Sequence, residues 1–440
     1  MSRFFFKLLL KKIILLQTKK FTEGNRVKKI AKLLVLTLII SMCFPALVNI
    51  NQSQYNVLPN KAESALNIKS DPAIFIDGNK QLNNTATAGN GTMEFPWILE
   101  NYTICISSGT PGIRIENTNE YFILRNCRIY DLASDGIQFT NVTNFNLRNC
   151  TIYNTTNYGI NFEDVRNFNL EQCSVSDCYG IKFDDVSNCN FQNCTIYNTL
   201  SDGIYLFYVT NVAINDTVIN SCNFGIRVSD SNKVNITHCN IYNSTADGIY
   251  ITDSHDNVIA NNSLCENQNG IFIEDSDRNH LSYNIANNND YEGIWYTGTT
   301  GSYNTTITHN TANQNGQDGF NLIKLHNATI TYNTANNNVQ LGISLCGTYN
   351  STVSYNTAQN NKWGIWLSSS SSFNIITWND LQSNSQGCWK EATDCIGNTI
   401  ENNDCGGGIP GYSLLFLLIG LISVVSLTIA RKQRTKQIFS

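Results

Sequence analysis

The chain has 440 residues, a formal net charge of −5, 14% charged side chains and 42% apolar ones, and 65 of its residues are asparagine. Disordered acidic tails and ordinary helical enzymes are both rich in charge, so this composition excludes them. Residues 1–32 hold ten Lys/Arg and one Glu, and residues 431–440 hold four Lys/Arg and no acid. Subtracting these from 29 basic and 34 acidic residues leaves 15 and 33, a balance of −18 over residues 33–430 that argues against a nucleic-acid partner.

Residues 1–50 read as a basic N-terminus with a signal peptide or signal anchor, because Arg26, Lys28, Lys29 and Lys32 precede an apolar run at 33–48. A linker is expected at 51–71. Residues 72–111, with PAIFIDGN and NGTMEFPWILENYTI, are expected to form an N-terminal cap and first irregular coil.

From 112 to 386 the chain repeats itself. Gly followed by Ile or Phe recurs at Gly112, Gly136, Gly159, Gly180, Gly203, Gly225, Gly248, Gly270, Gly293, Gly319, Gly342 and Gly364, every 21 to 26 residues, with a degenerate copy at Gly387. Such a period points to a solenoid. Apolar residues one and three places after each Gly alternate as the inner face of a strand does, and a second alternating stretch follows about ten residues later (FNLRNCTIYN, VNITHCNIYN). Short strands stacked in register at ~4.8 Å make a parallel β-helix. Its turns account for the asparagines, since Asn tolerates left-handed backbone and hydrogen-bonds to the turn above. Asn154, Asn198 and Asn243 are expected ladder positions, and the repeat glycines are expected at corners of positive φ.

Cys150, Cys173, Cys194 and Cys239 each fall 14 residues after a repeat Gly, and Cys127 falls 15 after Gly112. Cysteines locked to one repeat position are expected to fill an inward slot as small hydrophobes. Cys388, Cys395 and Cys405, in a C-terminal cap at 387–405, are better disulfide candidates. A Gly/Pro linker at 406–410 leads to an uncharged run at 411–430, long enough to span ~30 Å of hydrocarbon as a transmembrane helix. Both basic ends then stay in the cytoplasm, the tail at 431–440 included, and the repeats lie outside the cell membrane. Sequons such as Asn101, Asn141, Asn215, Asn261, Asn304 and Asn350 are possible glycan acceptors.

The G-I-x-[FLIV] and N-x-[IL]-x-x-[NC] strands, as in DGIYITDSHDNVIANNSLCENQNGIFIEDS from Asp247, resemble the NosD-like and carbohydrate-binding/sugar-hydrolase families. That resemblance implies a right-handed parallel β-helix of about 12 coils, here flanked by transmembrane or signal helices. The segment GGGIPGYSLLFLLIGLISVVSLTIARKQRTK from Gly406 resembles the C-terminal sorting signals of archaeal surface proteins.

Residues two places after each Gly face outward, and five are aromatic: Tyr205, Tyr250, Phe272, Trp295 and Trp366. Aromatics beside carboxylates and amides make a saccharide platform, or else a stack that stiffens an exposed sheet. Glu163, Lys182 and Asp184 form the candidate catalytic cluster, and Asp164, Asp185, Asp230, Asp253 and Asp275 are candidate Ca²⁺ ligands in oxygen-rich turns. The reading is a membrane-anchored surface module that binds polysaccharide or is structural. The alternative is a polysaccharide lyase, epimerase or hydrolase. No cofactor is expected beyond Ca²⁺.

Overall fold

The computed structural model describes residues 70–107 and 109–406. The apolar runs at 33–48 and 411–430, expected to meet the membrane, and most of the linker at 51–71 lie outside the described residues. Among the described residues no helix is long and apolar enough to cross a membrane, and the single helix is the short Asn79–Thr85, which buries Leu82 in the N-terminal cap.

Each coil carries up to three short strands. In the coil that opens at Gly203 they are Ile204–Phe207, Thr210–Asn215 and Val218–Asn220. Every strand pairs in parallel with its equivalents above and below: Ile204 sits under Ile226, Val212 under Val234, and Ile219 under Ile241. The result is an all-β parallel solenoid of about 13 turns rather than 12. The degenerate copy supplies one more, as strand Gly387–Glu391 pairs with Trp363–Ser368.

The corners explain the asparagine. In the coil that opens at Gly136, Asn141, Asn144, Asn149 and Asn154 all have φ between 51° and 65°. After each such residue the next side chain points inward: Val142, Phe145, Cys150 and Thr155 are all buried. The expected outer ladder forms in part. Asn154 donates to Asp131 and Asn243 to Ser221, whereas Asn198 is held by a backbone bond to Asn220.

The repeat glycines have a different reason from the one expected. Of the twelve, only Gly180 has positive φ. The others are glycine because the next coil leaves no room: a Cβ on Gly225 would lie 2.5 Å from the carbonyl oxygen of Gly248 and 2.3 Å from Ile241 Cγ2. Close backbone approach, not a left-handed corner, selects the residue.

The interior changes character along the axis. In the N-terminal coils it is packed with stacked phenylalanines, Phe145 on Phe168 at 4.7 Å and Phe139 on Phe162 at 5.1 Å. One inward corner position reads Cys127, Cys150, Cys173, Cys194, Thr217, Cys239, then Asn262, Asn284, Asn310, Asn333, Asn356, Asn379 and Asn403. The thiols are buried and free, as expected of small hydrophobes. The asparagines form a buried amide ladder in which each backbone N–H and Nδ2 donates to the next Oδ1, for example Asn284 to Asn310 at 3.0 and 2.9 Å. A second ladder runs from Asn267 through Asn289, Asn315, Asn338 and Asn361 to Asn384. At the C-terminus a disulfide joins Cys388 to Cys405, while Cys395 stays free.

Candidate functional site

Strand register places the outward residues of the first face in one column: Lys182, Tyr205, Arg227, Tyr250, Phe272, Trp295, Asn321, Ser344, Trp366 and Lys390. Within it the aromatic residues stack on one another. Phe224 lies 5.2 Å from Tyr250, Tyr250 lies 5.2 Å from Phe272, and Phe272 lies 4.3 Å from Trp295 with planes 13° apart. The Arg227 guanidinium caps Tyr205 at 4.9 Å, and Lys390 Nζ sits 4.2 Å over Trp366. Ring faces are therefore spent on neighbours, which leaves ring edges for contact with anything outside. The Tyr250 hydroxyl donates to Glu274 at 3.0 Å, and burial, with that carboxylate, pushes its pKa up to about 12. The indole Nε1 atoms of Trp295 and Trp366 are buried and donate to no protein acceptor.

Beside the stripe runs a row that sequence reasoning missed. The residue before the repeat Gly is Asp135, Asp202, Asp247, Glu292 or Asp318 in five coils, and each of these is less than 9% exposed. An acid before glycine reads as an ordinary turn signal, and nothing in that dipeptide marks it as buried. Burial raises all five carboxyls above their ordinary range. Asp247, which accepts from the backbone N–H and Nδ2 of Asn269, is pushed up to about 6. Asp318 is pushed up to about 7 by burial. The Leu341 N–H it accepts at 2.9 Å works against that rise, and the neighbouring Glu292 carboxyl adds to it.

The expected catalytic cluster is brought together, with Lys182 and Asp184 already paired. Glu163 and Asp184 are register partners on adjacent coils, and Lys182 Nζ donates to Asp184 Oδ2 at 2.8 Å. Burial lowers the Lys182 pKa, but Asp184 and more distant partners outweigh it, so the net shift is upward and the ammonium is a poor proton acceptor. The Ca²⁺ candidates are corner residues: Asp164, Asp185, Asp230, Asp253 and Asp275 have φ between 45° and 52°. Arg166 pairs with Asp164 at 2.8 Å, and Asp275 accepts from Thr299. Among the described residues no three His, Cys, Asp or Glu side chains converge to hold a metal ion.

The model of the right-handed β-helix region matches residues 48–164, 111–264, 158–304 and 247–405, and the chain belongs to that family. No curated protein matches it. Among solved structures it is similar to a mutant of the periplasmic alginate epimerase AlgG, at 13% identity over 71% of this chain and 85% of that one, with a TM-score of 0.51. It is also similar to the Dettilon tailspike protein (15% identity, 68% and 62% covered, TM-score 0.47). A third is the A-module of the Azotobacter vinelandii mannuronan C-5 epimerase AlgE4 (12%, 74% and 100%, TM-score 0.43). At these identities the likeness is one of fold.

Proposed function

We propose that this chain is a cell-surface polysaccharide-binding β-helix, membrane-anchored through its apolar ends, whose first face contacts a neutral glycan along the column from Tyr205 to Trp295. The observation that carries this reading is the juxtaposition of that half-buried aromatic column with a parallel row of buried, protonatable carboxyls. Ring edges supply apolar contact, while the carboxyls of the row, raised by burial with Asp247 pushed up to about 6, supply acceptors for sugar hydroxyls and, where protonated, donors as well. The Cys388–Cys405 disulfide supports an oxidising, extracytoplasmic location. Full-length protein on a glycan array tests the reading: Trp295→Ala should lose most of the signal retained on at least one glycan, and unchanged retention on every glycan would sink it.

A second reading, a lyase, epimerase or hydrolase, is favoured by Asp318, whose carboxyl burial pushes up to about 7 beside Glu292, rather than by Glu163 with Lys182 and Asp184, the last two of which pair with each other. Incubation with uronate and neutral polymers, with and without Ca²⁺, should then release unsaturated or reducing ends that Asp318→Asn abolishes. No released ends from any polymer would end that reading.

A further inference from the structure

The C-terminal coils expose a second face, separated from the Tyr205–Trp295 column by a corner of the coil. One corner position there is Tyr283, His309, Tyr332, Tyr355 and Trp378 in successive coils. The four aromatic side chains among these are 49 to 57% exposed. Tyr283 stacks on His309 at 4.8 Å, His309 on Tyr332 at 5.1 Å, and Tyr332 on Tyr355 at 5.1 Å. Six residues earlier in the coil a second row runs parallel to the first, Tyr303 on His326 at 4.8 Å and His326 on Tyr349 at 5.9 Å, and Phe373, five residues before Trp378, lies against Tyr349 at 5.4 Å.

Between these two rails lies a floor of short strands in parallel register, Thr306–Thr308, Thr329–Thr331, Thr352–Ser354 and Ile375–Thr377. Ile307, Ile330, Val353 and Ile376 are fully buried, so the alternate residues, mostly threonine, pave the outer surface. Thr308 and Thr331 approach to 3.2 Å through their hydroxyls. The segments 303–309, 326–332, 349–355 and 372–378 contain no Asp, Glu, Lys or Arg, in a chain whose residues 33–430 sum to −18.

The backbone supplies a second, independent observation. Tyr283, His309, Tyr332, Tyr355 and Trp378 all have φ between 56° and 59°. That conformation suits Asn, and the same corner position is Asn in other coils, at Asn126, Asn149, Asn193, Asn261 and Asn402. A bulky aromatic residue there holds a backbone conformation that L side chains rarely adopt, and such residues cluster where function requires them. Half-exposed aromatic rows on an uncharged floor are also surface that a soluble protein ordinarily avoids.

We propose that this face binds an extended, neutral, β-1,4-linked glycan lying parallel to the solenoid axis, with about one sugar per coil step of ~4.8 Å. Ring edges and phenol hydroxyls of the rails flank the chain, threonine hydroxyls contact its floor-facing side, and the absence of charge matches a ligand that carries none. This site stands apart from the column on the first face, and the double variant changes this site alone.

Full-length protein is incubated with amorphous cellulose and with colloidal chitin, and the bound fraction is compared for wild type, the control Gly109→Ala, which meets nothing within 4 Å, and the double variant Tyr332→Asn plus Tyr355→Asn. Asparagine is native to this corner, so the double variant keeps the left-handed turn. The expected result is retention of wild type and of Gly109→Ala on at least one polymer, with at least a tenfold loss for the double variant and a thermal midpoint equal to or above that of wild type. Several results would overturn the proposal: equal retention of the double variant, no retention of wild type on either polymer, or a lowered midpoint that accompanies the lost retention. Loss of a self-associated species in the double variant, with retention unchanged, would assign the face to a second copy of the chain and overturn it as well.

Discussion

The backbone N–H of Cys239 donates to Oδ1 of Asn262 at 2.9 Å, and this bond joins a row of buried sulfur to a row of buried amide. On one side the inward side chain fills space. On the other it also satisfies backbone groups of the neighbouring coils. The two halves of the row therefore respond differently to truncation.

Asn310 accepts from Asn284 and donates to Leu281 O and Asn333. Asn310→Ala leaves the Asn284 N–H and the Leu281 carbonyl buried without those partners, a loss of about 2–4 kcal/mol. Cys173→Ala removes one buried sulfur and is expected to lose about 1 kcal/mol. Urea unfolding midpoints of the two variants check the ordering, and equal shifts would contradict it.

Gly248→Ala puts a Cβ 2.7 Å from Gly270 O and 2.9 Å from both Asn267 Nδ2 and Leu264 Cδ2. Backbone cannot yield there without opening the stack, so a loss of about 1–3 kcal/mol is expected. Gly109→Ala meets nothing within 4 Å and serves as the control, with an unchanged midpoint.

Burial holds Asp318 near 7 and Asp247 near 6, above the ~3.9 of an unfolded Asp. Between those values the native state binds more protons than the unfolded chain. Their contribution to stability is therefore complete below about pH 4 and is lost as pH rises to 7. The thermal midpoint should fall over that interval. Asp318→Asn keeps an acceptor for Leu341 N–H and should flatten part of the decline while raising the midpoint at pH 8. A pH slope identical to wild type would exclude Asp318 as its source.

Cys388 and Cys405 close a 17-residue span, for which loop entropy predicts about 3 kcal/mol. In a solenoid that stability is local, because each coil contacts only its neighbours. The Cys388→Ser, Cys405→Ser double variant should speed hydrogen exchange at 387–406 and leave the coils around Phe162 unchanged. Faster exchange throughout the rod would refute the local assignment.

The period, the strand alternation and the inward cysteines were legible because each is a pattern of residue type at fixed spacing. The buried amide ladders were not. Asn310 is inward while its neighbour His309 occupies the left-handed corner, and an asparagine-rich sequence gives no mark of which residue turns and which is enclosed. The glycine requirement was misplaced for a related reason: Gly225 and Gly248 meet through space across a coil, a contact that local dihedral preference does not encode. The row from Asp135 to Asp318 carries no mark in the sequence because its burial is set by stacking. On the first face, the aromatic column was found by alternation, but whether its rings faced solvent or one another depended on coil spacing.

The amide ladder also makes the rod's length an adjustable quantity. Asn310, Asn333 and Asn356 offer the same donor and acceptor at the same place in consecutive coils. Excising residues 333–355 in a single cut brings Asn356 against Asn310 with no mismatched seam, and duplicating the segment adds a turn as readily. Gain or loss of whole units thus changes the span of both outer faces while leaving the interior chemistry intact.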